Sequence, residues 1–222
     1  MLPPAIALFS AILKQRGHKI DLFDATDYPN PETVEGDSDF NSDKIKETNL
    51  NVRPFDDSKL KVSWLEEDVF TAYKSKVNKF QPDLLAVSAT EDMFPIGVSL
   101  LKHTLHLKIP TILGGVFSTF APEVALSDPG IDMVCVGEGE HVLPELCERM
   151  QNKKKYDNIP GLWIKNKDGS ITKNAMAKAV KMEDNPILDL SIFEEGRLYR
   201  PMQGKVWRMF PLETHRGCPY RC

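Results

Sequence analysis

"IPTILGGVFSTFAPEVALSDPGIDMVCVGEGE" (residues 109–140) contains the same event twice. A short apolar stretch, IPTIL, stops at Gly114 and Gly115; a second, IDMVCV, stops at Gly137 and Gly139; helix-forming residues from Pro122 to Leu126 lie between them. Short apolar runs closed by glycine read as strands buried on both faces. A helix between two such strands predicts a parallel pair, because parallel strands need a crossover where antiparallel ones need only a turn.

Working outward, the pattern repeats. Downstream, HVLPELCERM (141–150) reads as the next helix. Upstream, QPDLLAVSAT (81–90) gives a Pro-Asp break and a strand from Leu84 to Ala89, followed by a helical pattern from Phe94 to Leu107 with Pro95 in its first turn. Leu65, Val69, Tyr73, Val77 and Phe80 recur at helical spacing and predict one buried stripe. Nearer the N-terminus, Ala5 to Arg16 is a helix stopped by Gly17, and HKIDLFDA (18–25) reads as a strand with Ile20, Leu22 and Phe23 entering the core and Asp24 at its end. Between Pro31 and Asp57, eight acids against three bases and no hydrophobic period predict a long polar loop.

Beyond Asn152 the style changes. GLWIKNKDGSITKN (161–174) is a hairpin with Asp168-Gly169 in its turn, residues 175–204 read as an irregular linker, and KVWRMFPLETHRGC (205–218) begins one more strand running directly into the cysteines. The expected division is therefore 1–152, an α/β domain of parallel strands with flanking helices; 153–204, hairpin and linker; and 205–222, the start of a further domain.

Composition narrows the function. A net charge of −4 over 222 residues gives no reason to expect nucleic acid or an anionic membrane surface, and no apolar run reaches the length of a membrane span. The N-terminal MLPPAIALFS lacks the basic start of a signal peptide. Four cysteines do not make a disulfide scaffold in a chain this long; Cys135 and Cys147 lie in apolar stretches and read as buried thiols, so a reducing cytoplasm is expected.

In open parallel sheets, ligands sit beyond the carboxyl ends of the strands. The residues expected there are Asp24, Ser88 to Thr90, GGVFST (114–119) and GEGE (137–140). One such loop alone is an ordinary turn; three loops of small residues on one edge, two of them with glycines, point to a ligand whose approach needs bare backbone. The dinucleotide fingerprint G-x-G-x-x-G is absent, since GEGEHV has valine at the third glycine position and follows the last strand. Glu138 and Glu140 lack a placed partner for acid–base work and are expected to shape the loop and cap the next helix.

The chain closes on ETHRGCPYRC (213–222). Cys218 and Cys222 are separated by three residues, which excludes C-x-x-C and resembles the opening of the C-x3-C-x2-C motif of radical S-adenosylmethionine enzymes. In that motif three thiolates hold a [4Fe–4S] cluster whose fourth iron binds S-adenosylmethionine. With GHKIDLFDA, ILGGVFSTFAPE, IDMVCVGEGE, IPGLWIKNKDG and ETHRGCPYRC in order, nearly the whole chain resembles the N-terminal half of a cobalamin-binding radical SAM protein. The resemblance implies a flavodoxin-like or Rossmann-like cobalamin domain followed by a radical SAM barrel of which only the first strand is present. It implies cobalamin contacts at Ser88, Thr90, Gly114, Gly115, Ser118, Gly137, Glu138, Gly139 and Glu140, and cluster ligation by Cys218 and Cys222.

The family opens with a strand before the paired prolines, whereas here only Met1 and Leu2 precede Pro3. The expectation is either a start further upstream or a sheet formed without that strand, in a chain truncated at both ends whose third cluster cysteine would fall at position 225. None of His18, His103, His106, His141 or His215 stands in a D-x-H-x-x-G motif, so cobalamin is expected to bind without histidine on cobalt. His103 and His106 are expected on a helix, facing solvent. The implied function is that of a cobalamin-dependent radical SAM methyltransferase acting on an unnamed small molecule and fed by an electron donor. The alternatives are a non-catalytic cobalamin or small-ligand binding module of flavodoxin-like fold, and a receiver-like nucleotide-binding domain.

Overall fold

The computed structural model describes residues 2–28 and 65–217. The helices are α1 (Pro4–Gln15), α2 (Val69–Phe80), α3 (Phe94–Lys102), α4 (Val116–Phe120), α5 (Pro122–Ser127) and α6 (Val142–Gln151). Strands β1 (Leu85–Ser88), β2 (Thr111–Gly114), β3 (Met133–Cys135), β4 (Leu162–Lys165) and β5 (Ile171–Lys173) form one sheet in that spatial order. β1, β2 and β3 are parallel, in register Leu85↔Thr111 and Ile112↔Met133, as the glycine-stopped apolar runs predict.

Alternation along these strands builds two cores. Ile112, Met133 and Cys135 point to one face, where Leu13 of α1 and Val142, Leu143 and Leu146 of α6 cover them. Leu113, Val134 and Val136 point to the other, against Leu101 of α3 and Ala125 and Leu126 of α5. β2 and β3 are thus covered on both sides, and an interior leucine there contributes on the order of 2 kcal/mol by burial.

Local chemistry sets the helix ends. After α1, Gly17 (φ +83°) donates to Lys14 and His18 to Leu13, the paired bonds of a Schellman stop. α2 starts later than its hydrophobic period, because the Asp68 carboxylate accepts the Thr71 amide and caps the helix there. Leu65 therefore precedes the helix and is exposed, as is Phe80, while Ala72 joins Val69, Tyr73 and Val77 in the buried stripe. α3 ends at Lys102 rather than Leu107: the Thr104 hydroxyl donates to the Leu101 carbonyl, and a separate 3-10 turn covers Leu105–Leu107. His103 and His106 are exposed, and His103 stacks on Phe70 at 4.3 Å.

Three expectations are corrected. The hairpin over 161–174 forms with its turn at Gly169 (φ +84°), but it belongs to the main sheet, β4 pairing antiparallel with β3 through Met133↔Ile164. All three residues of β3 are buried, so its far edge needs a partner, and Trp163 and Ile164 continue its two faces. Second, residues 18–25 form no strand and join no ladder among the described residues. β1 pairs with β2 along one edge and, among the described residues, with no strand along the other; Ala86 and Ser88 of β1 are exposed. A segment without a ladder partner leaves its amides to side chains and water, and in 18–25 the Asp21 carboxylate takes the Leu22 amide. Third, β7 (Lys205–Arg208) does not run into the cysteines. It pairs with β6 (Tyr199–Met202) across a tight turn with Gln203 and Gly204 both at positive φ, and irregular chain follows it to residue 217.

Of the linker expected over 175–204, residues 175–198 are irregular, with short 3-10 turns, whereas 199–202 form β6 and are paired with β7. They are fastened to α1: Leu2 and Ala7 pack with Phe193 and Leu198, and Asp189 accepts from Ser10 and Lys14, each at 2.6 Å. The polar stretch 31–57 and the cysteines Cys218 and Cys222 lie outside the described residues. Among the described residues no helix is long and apolar enough to cross a membrane.

Candidate functional site

Because β1, β2 and β3 run parallel, Ser88, Gly114 and Cys135 close them on one edge, and the three loops that follow meet there. The first two are in backbone contact. Ala89 donates to the Gly114 carbonyl at 3.2 Å, and a side chain at Gly115 would place its Cβ 2.7 Å from the Ala89 carbonyl oxygen, at a φ of +111°. Only glycine fits there, for steric and conformational reasons together.

Two residues of GGVFST join the second loop to the third. Ser118 is fully buried, its hydroxyl 3.0 Å from the carbonyl oxygens of both Gly115 and Cys135, so it braces the loop from beneath. Thr119 accepts the Gly137 amide at 3.1 Å and donates to Gly115 at 3.0 Å. Thr119 escapes sequence reasoning, since its pattern resembles any hydroxyl residue in a short helix.

The third loop is equally fixed. Gly137 adopts φ +90°, and a Cβ at Gly139 would lie 2.7 Å from the Phe9 ring of α1. The two glutamates do not cap α6, whose N-cap is His141 without a side-chain bond. Instead Glu138 accepts the Val180 amide at 2.6 Å, and Glu140, with only 7% of its side chain exposed, pairs with the guanidinium of Arg216. Arg216 also reaches Glu138 at 3.5 Å and grips Glu213 through two bonds of 2.8 and 2.9 Å. That convergence is invisible in sequence, where 76 residues separate its ends.

What remains open to solvent is small, hydroxylic or apolar. Ser88, Thr90 and Gly115 are exposed, and around them stand the exposed side chains of Met93, Val116, Phe120 (84%) and Met176. Met176 leans over Gly137, 3.6 Å from where its Cβ would be. A backbone-lined floor with an apolar rim, its carboxylates already engaged by Arg216, fits a broad and flat ligand such as a corrin ring better than a phosphate.

The other predicted groups are placed elsewhere. Asp24 pairs with Arg197 at 2.8 Å; burial works to raise its carboxyl, but the Thr26 hydroxyl and the Arg197 guanidinium outweigh that and hold it below the usual value. His141 is exposed and lines a separate polar cleft with Arg16, Glu145 and Arg149. Burial pushes the Cys135 thiol up to about 12 and the Cys147 thiol up to about 11, leaving both unreactive. Among the described residues no group of three or more His, Cys, Asp or Glu could hold a metal.

Comparison with known proteins bears on this edge. Residues 60–147 match the B12 binding domain. Over 177 residues the chain is 26% identical to an uncharacterised methyltransferase of Pyrococcus horikoshii, a match covering 77% of this chain and 37% of that protein. It is 24% identical over 174 residues to the cytidylyl-2-hydroxyethylphosphonate methyltransferase of Streptomyces wedmorensis (76% and 28% covered), and 28% identical over 156 residues to the anaerobic magnesium-protoporphyrin IX monomethyl ester cyclase of Rubrivivax gelatinosus (67% and 28%). The chain thus spans about a third of the length of the curated relatives it matches. Its fold resembles that of the radical S-adenosylmethionine methyltransferase TsrM from Kitasatospora setae, whose structure has cobalamin and a [4Fe-4S] cluster bound (TM-score 0.54, 17% identity, 84% of this chain and 28% of that one).

Proposed function

We propose that this chain, whose residues 60–147 match the B12 binding domain, holds cobalamin at the carboxyl edge of β1–β3 as part of a cobalamin-dependent radical SAM methyltransferase. The observation that carries the cobalamin site is the edge itself. Three loops are locked together by Gly115, Ser118 and Thr119, their floor is backbone, and their rim is apolar. In this assignment Gly114, Gly115 and Gly137 give the close approach a corrin plane needs, Ser88 and Thr90 offer hydroxyls to its amide side chains, Ser118 holds the floor in place, and Gly139, buried against Phe9, contributes by letting the loop pack on α1. Glu138 and Glu140 act through the loop they anchor.

Cys218 and Cys222, two and six residues beyond Arg216 in sequence, are proposed as the first two ligands of a [4Fe–4S] cluster that also binds S-adenosylmethionine. When bound, these groups supply a transferable methyl and the radical chemistry that activates the substrate. The protein's share would be to hold the two sites in one frame and to exclude water with the apolar rim. An electron donor and a small-molecule substrate complete the proposal, and the methyltransferase names of two relatives favour methyl transfer.

The test is spectroscopic. Purified chain mixed with hydroxocobalamin and desalted should retain the vitamin's visible absorbance in a one-to-one ratio; loss of all colour on the column would overturn the site. Anaerobic reconstitution with iron and sulfide separates the cluster assignment from the first. The 222-residue chain should hold no stable cluster, a chain extended through a cysteine at position 225 should, and failure of the extended chain would sink the cluster ligands alone.

A further inference from the structure

Arg216 occupies a position that neither cobalamin binding nor cluster ligation explains. It lies two residues before Cys218 in sequence, and its guanidinium reaches into the loop that follows β3. There it meets Glu140, nearly buried, and Glu138, whose second oxygen is held by the Val180 amide. Its other two nitrogens form a fork with Glu213 on its own segment. The loop it grips is itself immobilised by the Thr119–Gly137 bond and by Phe9 beneath Gly139. A planar guanidinium that satisfies carboxylates on two segments at once fixes their relative position, which a lysine ammonium cannot do as well.

Resting on the proposed function above, we infer that Arg216 is a positioning residue: it clamps the segment leading to Cys218 onto the 137–140 loop, so that occupation of the cobalamin edge and ordering of residues 209–217 are linked. Such linkage is reciprocal. If ligand at the edge steadies the loop, it steadies the clamped segment, and releasing the clamp weakens the ligand by the same factor. Glu140 has the complementary part: without Arg216 it is a nearly buried carboxylate lacking its counter-ion, so the loop must open to hydrate it.

The experiment is hydrogen exchange read by mass spectrometry on the full chain, with and without hydroxocobalamin, for the parent, Arg216→Lys, Arg216→Gln and Glu140→Gln. Without cobalamin, Arg216→Gln and Glu140→Gln should each speed exchange about tenfold in peptides covering 209–217 and 137–141, with β2 and β3 unchanged. Arg216→Lys, the variant closest to the parent in charge and size, should fall between. Unchanged exchange in both peptides for Arg216→Lys and Arg216→Gln would overturn the clamp. With cobalamin, the parent should slow in 209–217 although that segment is not part of the proposed floor, and Arg216→Gln should lose this response and bind cobalamin about 3–10-fold more weakly by absorbance titration. A parent that binds cobalamin but shows no slowing in 209–217 would overturn the linkage. A parent that binds no cobalamin overturns the proposed function and the linkage with it, while the ligand-free comparison still decides the clamp.

Discussion

Thr119 and Gly137 are joined across two loops: the Gly137 amide donates to the Thr119 hydroxyl oxygen at 3.1 Å, and the same hydroxyl donates to Gly115 at 3.0 Å. One side chain therefore sets the spacing between the ends of β2 and β3. Thr119→Val keeps the shape and removes both bonds, and should lower stability by about 1–2 kcal/mol in a urea titration, with Thr119→Ser close to the parent. Equal loss in the serine variant would mean that the methyl group, and not the hydroxyl, is responsible.

Gly115 and Gly169 both have positive φ but differ in surroundings. Gly169→Ala meets nothing within 4 Å and should cost about 1 kcal/mol for its conformation alone. Gly115→Ala must in addition push the Ala89 carbonyl away, and should cost at least about 2 kcal/mol and abolish retention of hydroxocobalamin on a desalting column. A colour-retaining Gly115→Ala would show that the two loops need not touch.

Phe120 separates ligand binding from folding. With 84% of its surface exposed it contributes little to the core, so Phe120→Ala should shift the unfolding free energy by less than about 0.5 kcal/mol. Loss of about 1 kcal/mol of apolar contact with a corrin ring would weaken cobalamin about fivefold, read by absorbance titration. Leu146→Ala, at a fully buried position, should behave oppositely: about 2–5 kcal/mol of stability lost, and unchanged affinity while the chain is folded.

Asp189 predicts a pH dependence. Lys14 first, then the hydroxyls of Ser10 and Ser191, hold its carboxyl far below the ordinary value. A depressed folded value means stabilisation that is present in full above the unfolded value of about 3.9 and is lost as pH falls below it toward the folded one. Asp189→Asn should therefore cost about 1 kcal/mol at neutral pH and make the stability curve flatter between about pH 4 and pH 2, followed by circular dichroism. A curve parallel to the parent's in that window would assign the acid sensitivity to other carboxylates.

The parallel core was legible because β2 and β3 are apolar on both faces and closed by glycines, a pattern with few other solutions. The strand expected at 18–25 was misread for a related reason: apolar content states that a segment is covered, while ladder pairing depends on a neighbour elsewhere in the chain. The hairpin's place in the main sheet was hidden in the same way, because pairing β4 with β3 rather than leaving it apart depends on Val134 and Met133 having an open flank. At the candidate site the glycines announced themselves through turn chemistry. Thr119 and Arg216 did not, since both act over distances in sequence that no local spacing encodes.

Residues 174–217 are fastened along their length: Val180 to Glu138, Asp189 to Ser10 and Lys14, Arg197 to Asp24, and Arg216 to Glu140. A free coil of this length would wander with a root-mean-square reach of roughly 35–40 Å. Stapled at four places, the stretch behaves as a strap of fixed layout, and whatever sits at its far end has a high local concentration at the sheet edge instead of searching a sphere around it.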